Sequence, residues 1–294
     1  MYQSFFGLGE KPFGPTPDPR FLFLADSHRE ALDRLLQQRG LAVLTGDPGT
    51  GKSALLLALR EQLDANTAVS FVFNTTLSFD GIVEFMLEDL GVAKPEESPA
   101  RRLVALKSFL SEREQAGQRT TLIVDEAQHL DAPTLAQLGL LANLESATAS
   151  TRLQLLLAGS PELDARLQEP DLRHLHESIQ VHCRIRALDA GEVARYIQHR
   201  LEVAGAPDAG LFDRQAIGRL ARFSGGIPRV INIVADHCLL LAYADQRHRV
   251  DRRTADRAIA DLTEGTQPLK LAGAWTTLAS SLAGIARRWR ARRD

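Results

Sequence analysis

The segment that most constrains the fold is glycine-rich and eight residues long, GDPGTGKS at residues 46–53. The apolar run 41–44 precedes it, and the apolar run 54–59 follows it. This is the order of strand, turn and helix that a phosphate-binding loop requires. In such a loop, backbone N–H groups surround a phosphate and the helix N-terminus adds the positive end of its dipole. An ordinary glycine turn is the alternative, and the flanking strand and helix argue against it.

Individual loop positions have predicted roles. Lys52 is expected to reach the β- and γ-phosphates of ATP, and the hydroxyl of Ser53 to coordinate Mg²⁺. Gly49 and Gly51 permit a close backbone approach that a Cβ atom would obstruct. The residues predicted to bind the nucleotide in this segment are Gly46, Asp47, Pro48, Gly49, Thr50, Gly51, Lys52, Ser53 and Ala54.

An acidic pair follows a second apolar run, in the sequence LIVDEAQHL at residues 122–130. Asp125 comes at the carboxyl end of the predicted strand, where it would hold Mg²⁺ through water. Glu126 is the predicted base that polarises the attacking water. A solvated loop is the alternative for such a pair, and the glycine-rich loop upstream argues against it.

Apolar strands alternate with helical patterns along the first two thirds of the chain. This alternation predicts an α/β P-loop NTPase fold, a parallel sheet sandwiched by helices. After residue 187 the pattern changes to four helices that form a small all-α lid domain, with Asp189, Asp213 and Asp251 as N-caps for three of them. The predicted strands are Leu41–Thr45, Val69–Asn74, Thr120–Asp125, Leu153–Gly159 and Ile179–Ile185.

Four segments are predicted in all. Residues 1–25 are an aromatic and proline-rich arm, expected to be extended and packed because its phenylalanines favour burial. Ser27 and Glu30 predict a capping box that opens the first long helix. The segments are the arm 1–25, the nucleotide-binding domain 26–186, the lid 187–265 and an amphipathic basic tail 266–294.

Two further polar residues are candidates for the nucleotide site. Ser160 follows the fourth predicted strand, where it can contact the γ-phosphate or cap the helix that Pro161 begins. Arg229 lies in the first turn of a helix, which is unfavourable for a cation unless it faces an anion. An exposed arginine or an ion pair is the alternative for Arg229. Asn74 and Thr75 are weaker candidates.

Composition excludes little beyond this. The formal net charge of −2 gives no global basic signal for nucleic acid. Cys183 and Cys238 stand apart, without a metal-binding spacing, and no signal peptide is recognisable. Both features favour a cytoplasmic protein.

These motifs together resemble the AAA+ ATPases, and more closely the general secretion pathway protein A family, which includes the MSHA pilus biogenesis ATPases. The closer resemblance is carried by the opening at 2–32, DEAQHL at 125–130, GSPEL at 159–163 and SGGIPRVINIVADHCLLLAYA at 224–244. It implies Lys52 and Ser53 for phosphate and Mg²⁺, Asp125 and Glu126 as Walker B, and Arg229 as sensor 2. It also implies that the arm packs near the adenine.

Two positions depart from the family pattern. The family usually has Gln where this chain has Ser160, which leaves its sensor 1 residue open. It also tends to carry an R-x-R pair, a source of the arginine finger, where this chain has His176, Glu177 and Ser178. Arg173 is the nearest substitute, with Arg166, Arg184 and Arg186 as weaker ones. Slow intrinsic turnover is therefore predicted unless one of these arginines substitutes for the finger.

The tail carries a different signal. Apolar residues recur at helical spacing through 271–289, and five arginines lie within 287–293. This pattern favours an anionic membrane surface, a partner's groove or packing on its own domain, with nucleic acid as a further alternative.

The leading hypothesis is therefore a cytoplasmic ATPase, peripheral to the inner membrane if the tail binds there. It would use ATP-dependent homo-oligomerisation to assist assembly proteins of a secretion or type IV-like pilus system. The alternative is a DNA-binding AAA+ regulator of the transposition target-selector type, which assembles on DNA with ATP. A third reading is a signalling NTPase that binds ATP and rarely hydrolyses it.

Overall fold

A computed structural model describes residues 2–15, 18–73, 76–92, 98–143, 153–207 and 209–264. The helices and strands follow in the order α1 (Tyr2–Phe5), α2 (Asp26–Gln37), β1 (Leu41–Gly46), α3 (Lys52–Gln62), β2 (Thr67–Val72), α4 (Phe79–Asp89), α5 (Pro99–Gln115), β3 (Arg119–Val124), α6 (Ala132–Ala142), β4 (Gln154–Gly159), α7 (Pro161–Leu167), α8 (Arg173–Glu177), β5 (Ile179–Ile185), α9 (Ala190–Val203), α10 (Arg214–Ser224), α11 (Pro228–Ala244) and α12 (Arg252–Glu264). The tail predicted at 266–294, Asn74 and Thr75 lie outside the described residues.

The predicted fold class is confirmed. The five strands form one parallel sheet in the order β2-β3-β4-β1-β5. Strands β1 and β4 lie inside the sheet and are buried along their whole length, as expected when helices cover a parallel sheet. Because all strands run in one direction, the ends of β1, β3 and β4 reach the same edge of the sheet.

Contacts divide the described chain into two compact units. One comprises the sheet with its helices, Ser27–Asp47 and Leu55–Ile185. The other comprises the N-terminal segment to Asp26, the short segment Pro48–Ala54 and the helical part from Arg186 onward. The sequence-based boundaries at residues 25, 186 and 265 stay a prediction.

In the helical unit, the aromatic arm is part of the hydrophobic core. Tyr2, Phe6, Phe13 and Phe21 are buried among residues of α9 to α12. The arm is not wholly extended, because α1 forms before the first proline, where no missing N–H prevents a helical turn. The burial that its phenylalanines predict is observed.

The guanidinium group of Arg200 anchors this arm. Arg200 is buried on α9, its Nε donates to the carbonyl of Pro12, and its Nη1 donates to the hydroxyl of Tyr196. The same group lies 4.7 Å from the ring centroid of Phe21. Hydrogen bonds and a cation–π contact therefore compensate the burial of the charge.

The three predicted aspartate N-caps are observed, whereas the capping box predicted at Ser27 is not. Asp189, Asp213 and Asp251 accept backbone N–H groups at the starts of α9, α10 and α12. The capping box at Ser27 is wrong, because α2 already begins at Asp26. The N–H of Asp26 instead donates to Glu192 Oε1 at 3.3 Å, a tertiary cap that local sequence does not encode.

None of the described helices is both long and apolar enough to cross a membrane.

Candidate active site

The acidic pair lies at the end of β3. Asp125 is 3% exposed, and its N–H donates to the carbonyl of Val72 at 3.0 Å. Its Oδ1 accepts the N–H of Glu126 at 3.0 Å. Asp125 is therefore fixed at both main chain and side chain, at the edge of the sheet that the sequence predicts for it.

Glu126 has a left-handed backbone, with φ 56° and ψ 37°. This conformation costs a non-glycine residue roughly 1–3 kcal/mol, and such strain is concentrated at functional sites. It turns the chain sharply between the buried strand and the three-ten turn Ala127–His129. The turn places Glu126 directly after the buried Asp125, at the carboxyl end of β3.

The side chain of Gln128 joins Glu126 to the end of β4. Its Nε2 donates to Glu126 Oε2 at 2.6 Å, and its Oε1 accepts the N–H of Ser160 at 3.1 Å. Sequence reasoning missed this residue. The sequence shows only a polar amide before an apolar helix pattern, and this does not indicate which residues the amide contacts.

Ser160 occupies the N-cap position of α7, but its side chain makes no capping hydrogen bond. Its Oγ is buried and finds no hydrogen-bond partner among the described residues. A buried hydroxyl without a partner is costly, so a missing acceptor or donor is indicated. Of the two predicted roles for the side chain, capping is the one that the structure does not bear out.

The glycine-rich loop follows β1. Gly46 and Asp47 belong to the sheet unit and reach the same edge as Asp125 and Ser160, whereas Pro48–Ala54 belongs to the helical unit. Gly49 and Gly51 have positive φ values of 84° and 106°. The requirement for glycine at these two positions is therefore conformational.

Within the helical unit, the loop contacts the start of α11. The N–H of Arg229 donates to the carbonyl of Gly49 at 3.2 Å. A Cβ atom at Gly49 would lie 2.8 Å from Arg229 Cβ. Thr50 and Lys52 are buried, at 0% and 5% exposure. The structure thus brings Arg229 and the loop segment Pro48–Ala54 together, and the role of Arg229 as sensor 2 stays a prediction.

The candidate arginine fingers differ in their surroundings. The Nε of Arg173 donates to Glu177 at 2.9 Å, and both side chains are largely exposed. Arg166 donates to the carbonyls of Gln128 and Leu130, so it supports the turn after Glu126. Arg184 and Arg186 are exposed. Arg173 remains the arginine best placed to leave its present partner, since an exposed ion pair is weak.

The donors predicted for Mg²⁺ are oxygens, the Ser53 hydroxyl and the Asp125 carboxylate, which suit this cation. The described part of the chain has no cluster of three or more His, Cys, Asp or Glu side chains that could hold a metal ion.

Comparisons with known proteins agree with the fold and the motifs. Residues 34–167 match the AAA domain family. General secretion pathway protein A of Aeromonas hydrophila is 36% identical over 255 residues, which cover 85% of this chain and 46% of that protein. The chain therefore spans less than half the length of this relative.

Solved structures share the fold at low sequence identity. Cdc6p from Pyrobaculum aerophilum has a TM-score of 0.63 at 18% identity, over 81% of this chain and 67% of that one. The Aeropyrum pernix ORC1 protein, solved in complex with DNA, has a TM-score of 0.63 at 16% identity, over 86% and 69%. The Thermotoga maritima RuvB branch migration motor has a TM-score of 0.51 at 14% identity, over 80% and 68%.

The family prediction is confirmed: the chain carries an AAA domain and is related to general secretion pathway protein A. The AAA domain match and the P-loop fold support the prediction that it is an ATPase.

Proposed function

We propose that this chain binds ATP with Mg²⁺, hydrolyses it slowly, and uses ATP-dependent self-association to assist assembly of a secretion or type IV-like pilus system at the inner membrane. The observation that carries the hydrolytic part is the strained Glu126, held by Gln128 directly after the buried Asp125. The relationship to general secretion pathway protein A supports the cellular part.

The proposed chemistry assigns one task to each residue. Lys52 binds the β- and γ-phosphates, and Ser53 and Asp125 would hold Mg²⁺, which would offset the negative charge of the phosphates. Glu126 polarises the attacking water, and Arg229 senses the nucleotide from the start of α11. Ser160 is proposed to use its unpartnered hydroxyl on the γ-phosphate or the attacking water. Arg173 is proposed to reach the nucleotide of a neighbouring subunit.

Phosphate release and particle size test this proposal on the full chain. We expect Lys52→Ala to lose ATP binding, and Glu126→Gln to bind ATP, hydrolyse it at least 100-fold more slowly and accumulate as the assembled form. The control is Lys107→Ala, a change of an exposed lysine on α5. Hydrolysis that survives Glu126→Gln would contradict the assignment of the base.

The same size measurement separates the biological alternatives. Assembly with ATP alone, or on anionic liposomes, supports the proposed function. Assembly that requires added DNA would replace it with the DNA-dependent alternative. Equal hydrolysis by assembled wild type and Arg173→Ala would remove Arg173 from the proposed mechanism.

A further inference from the structure

Gln128 is a buried amide with both ends occupied. It is 8% exposed and lies in the three-ten turn Ala127–His129. Its donor end faces the Glu126 carboxylate and lies 3.2 Å from His129 Nε2, and its acceptor end faces the N–H of Ser160. The reversed amide would place oxygen against carboxylate and N–H against N–H, so the two partners permit one orientation.

The surroundings restrict movement of this amide. A Cβ atom at Gly159 would lie 2.5 Å from Gln128 Oε1, so the absence of a side chain at Gly159 provides the space for the amide. Arg166 donates to the main-chain carbonyl of Gln128 at 2.6 Å. The side chain of Gln128 is thus held by the Ser160 N–H, and its main chain by Arg166 of α7.

We propose that Gln128 is a positioning residue, which fixes the Glu126 carboxylate relative to the start of α7 and so sets the rate of hydrolysis. The inference rests on the proposed function, in which Glu126 polarises water. A glutamate side chain has several rotatable bonds, and a carboxylate misplaced by about 1 Å can cost roughly 100-fold in rate. One donated hydrogen bond from a rigid amide removes much of that freedom.

The decisive variant is Gln128→Glu, which has the same size. It keeps an acceptor for the N–H of Ser160 but replaces the donor to Glu126 with a like charge. We expect kcat to fall roughly 10- to 100-fold while KM and the affinity for an ATP analogue change less than about twofold. A purely structural role of Gln128 predicts nearly unchanged kcat, because the link to Ser160 survives.

The chain offers a matched control. Gln198 Nε2 donates to Glu202 Oε1 at 2.8 Å on the exposed face of α9. Gln198→Glu makes the same chemical change to the same kind of pair, and we expect wild-type kcat. In a Glu126→Gln background, Gln128→Glu is expected to cause no further loss of the residual rate, since its effect passes through Glu126.

The outcomes distinguish this inference from the proposed function. A kcat for Gln128→Glu within twofold of wild type overturns the inference and leaves the proposed function intact. Absence of hydrolysis by the wild type overturns both. If Gln128→Glu does not fold, Gln128→Met takes its place, because methionine also lacks the donor to Glu126. The same fall in kcat with little change in KM is then expected.

Discussion

The two units hold their key residues by different means. In the helical unit, Gly226 packs so closely on the main chain of Leu188 that a Cβ atom has no room. At the edge of the sheet unit, Glu126 is held by a side-chain hydrogen bond from Gln128. No residue larger than glycine fits against a main-chain group at that distance. A side-chain hydrogen bond, by contrast, can be removed by a single substitution that leaves the main chain in place. We therefore expect changes in the first region to affect folding and changes in the second to affect chemistry.

The largest expected effect is that of Gly226→Ala. A Cβ atom there would lie 1.9 Å from the carbonyl oxygen of Leu188, and Leu188 N–H donates to Gly226 O at 2.9 Å. We expect a loss of about 3 kcal/mol or more in the free energy of unfolding, measured by chemical denaturation.

Gly225→Ala is the matched control for Gly226→Ala. Gly225 also has a positive φ, of 58°, but nothing lies within 4 Å of its Cβ position. Strain alone should cost roughly 1–2 kcal/mol. Equal losses of stability for the two variants would show that residue 226 must be glycine because of its backbone conformation, and not because of the contact with Leu188.

The next effect concerns the anchor of the aromatic arm. Arg200→Ala removes the hydrogen bonds to the Pro12 carbonyl and the Tyr196 hydroxyl, together with the contact to the Phe21 ring. We expect a loss of about 2–3 kcal/mol by the same measurement. Arg195→Ala, at an exposed position of α9, should stay within about 0.5 kcal/mol of wild type. A similar loss in both variants would contradict the anchoring role.

Gly159→Ala probes the sheet unit in the same way but should affect chemistry more than folding. The new Cβ would lie 2.5 Å from Gln128 Oε1 and 3.1 Å from Leu163 Cβ. We expect about 1 kcal/mol of destabilisation and roughly tenfold slower hydrolysis, because Gln128 must move. Gly218→Ala on α10, with nothing within 4 Å, is the control. Unchanged hydrolysis by Gly159→Ala would contradict the expectation that changes at this edge of the sheet unit affect chemistry more than folding.

Sequence patterns predicted what local chemistry determines. Strand β5 was bounded correctly at Ile179–Ile185, and β3 was displaced by one residue. Asp189 and Asp251 were identified as caps, since a cap contacts residues within the same turn. Asp125 and Glu126 were placed at a sheet edge because parallel strands end together.

Contacts between distant segments could not be predicted. Gln128 joins Glu126 to Ser160 across 32 residues, and nothing in its spacing names Ser160 as a partner. Asp26 donates to Glu192 across 166 residues, which is why the cap predicted at Ser27 was wrong. Such contacts depend on packing, which periodicity does not encode.

The smallest expected effect is a pH-dependent cap in the helical unit. The Thr254 N–H and hydroxyl donate to Asp251 Oδ1, each at 2.8 Å, and these bonds hold the pKa of the Asp251 carboxyl below its ordinary value. Because the folded-state pKa lies below the unfolded value of about 3.9, the stabilising contribution is complete above about pH 5 and is lost as pH falls through the folded-state pKa.

Asp251→Asn keeps an acceptor for the Thr254 N–H but no longer titrates. At pH 7 we expect it to be less stable than wild type by roughly 0.5 kcal/mol, since the charge at the start of α12 is lost. The difference should vanish as pH is lowered from 5 to 2, measured by denaturation at each pH. Thr254→Val, which removes the hydroxyl donor, should reduce the pH dependence. A difference in the free energy of unfolding between wild type and Asp251→Asn that stays constant across this range would show that the Asp251 charge does not stabilise the cap.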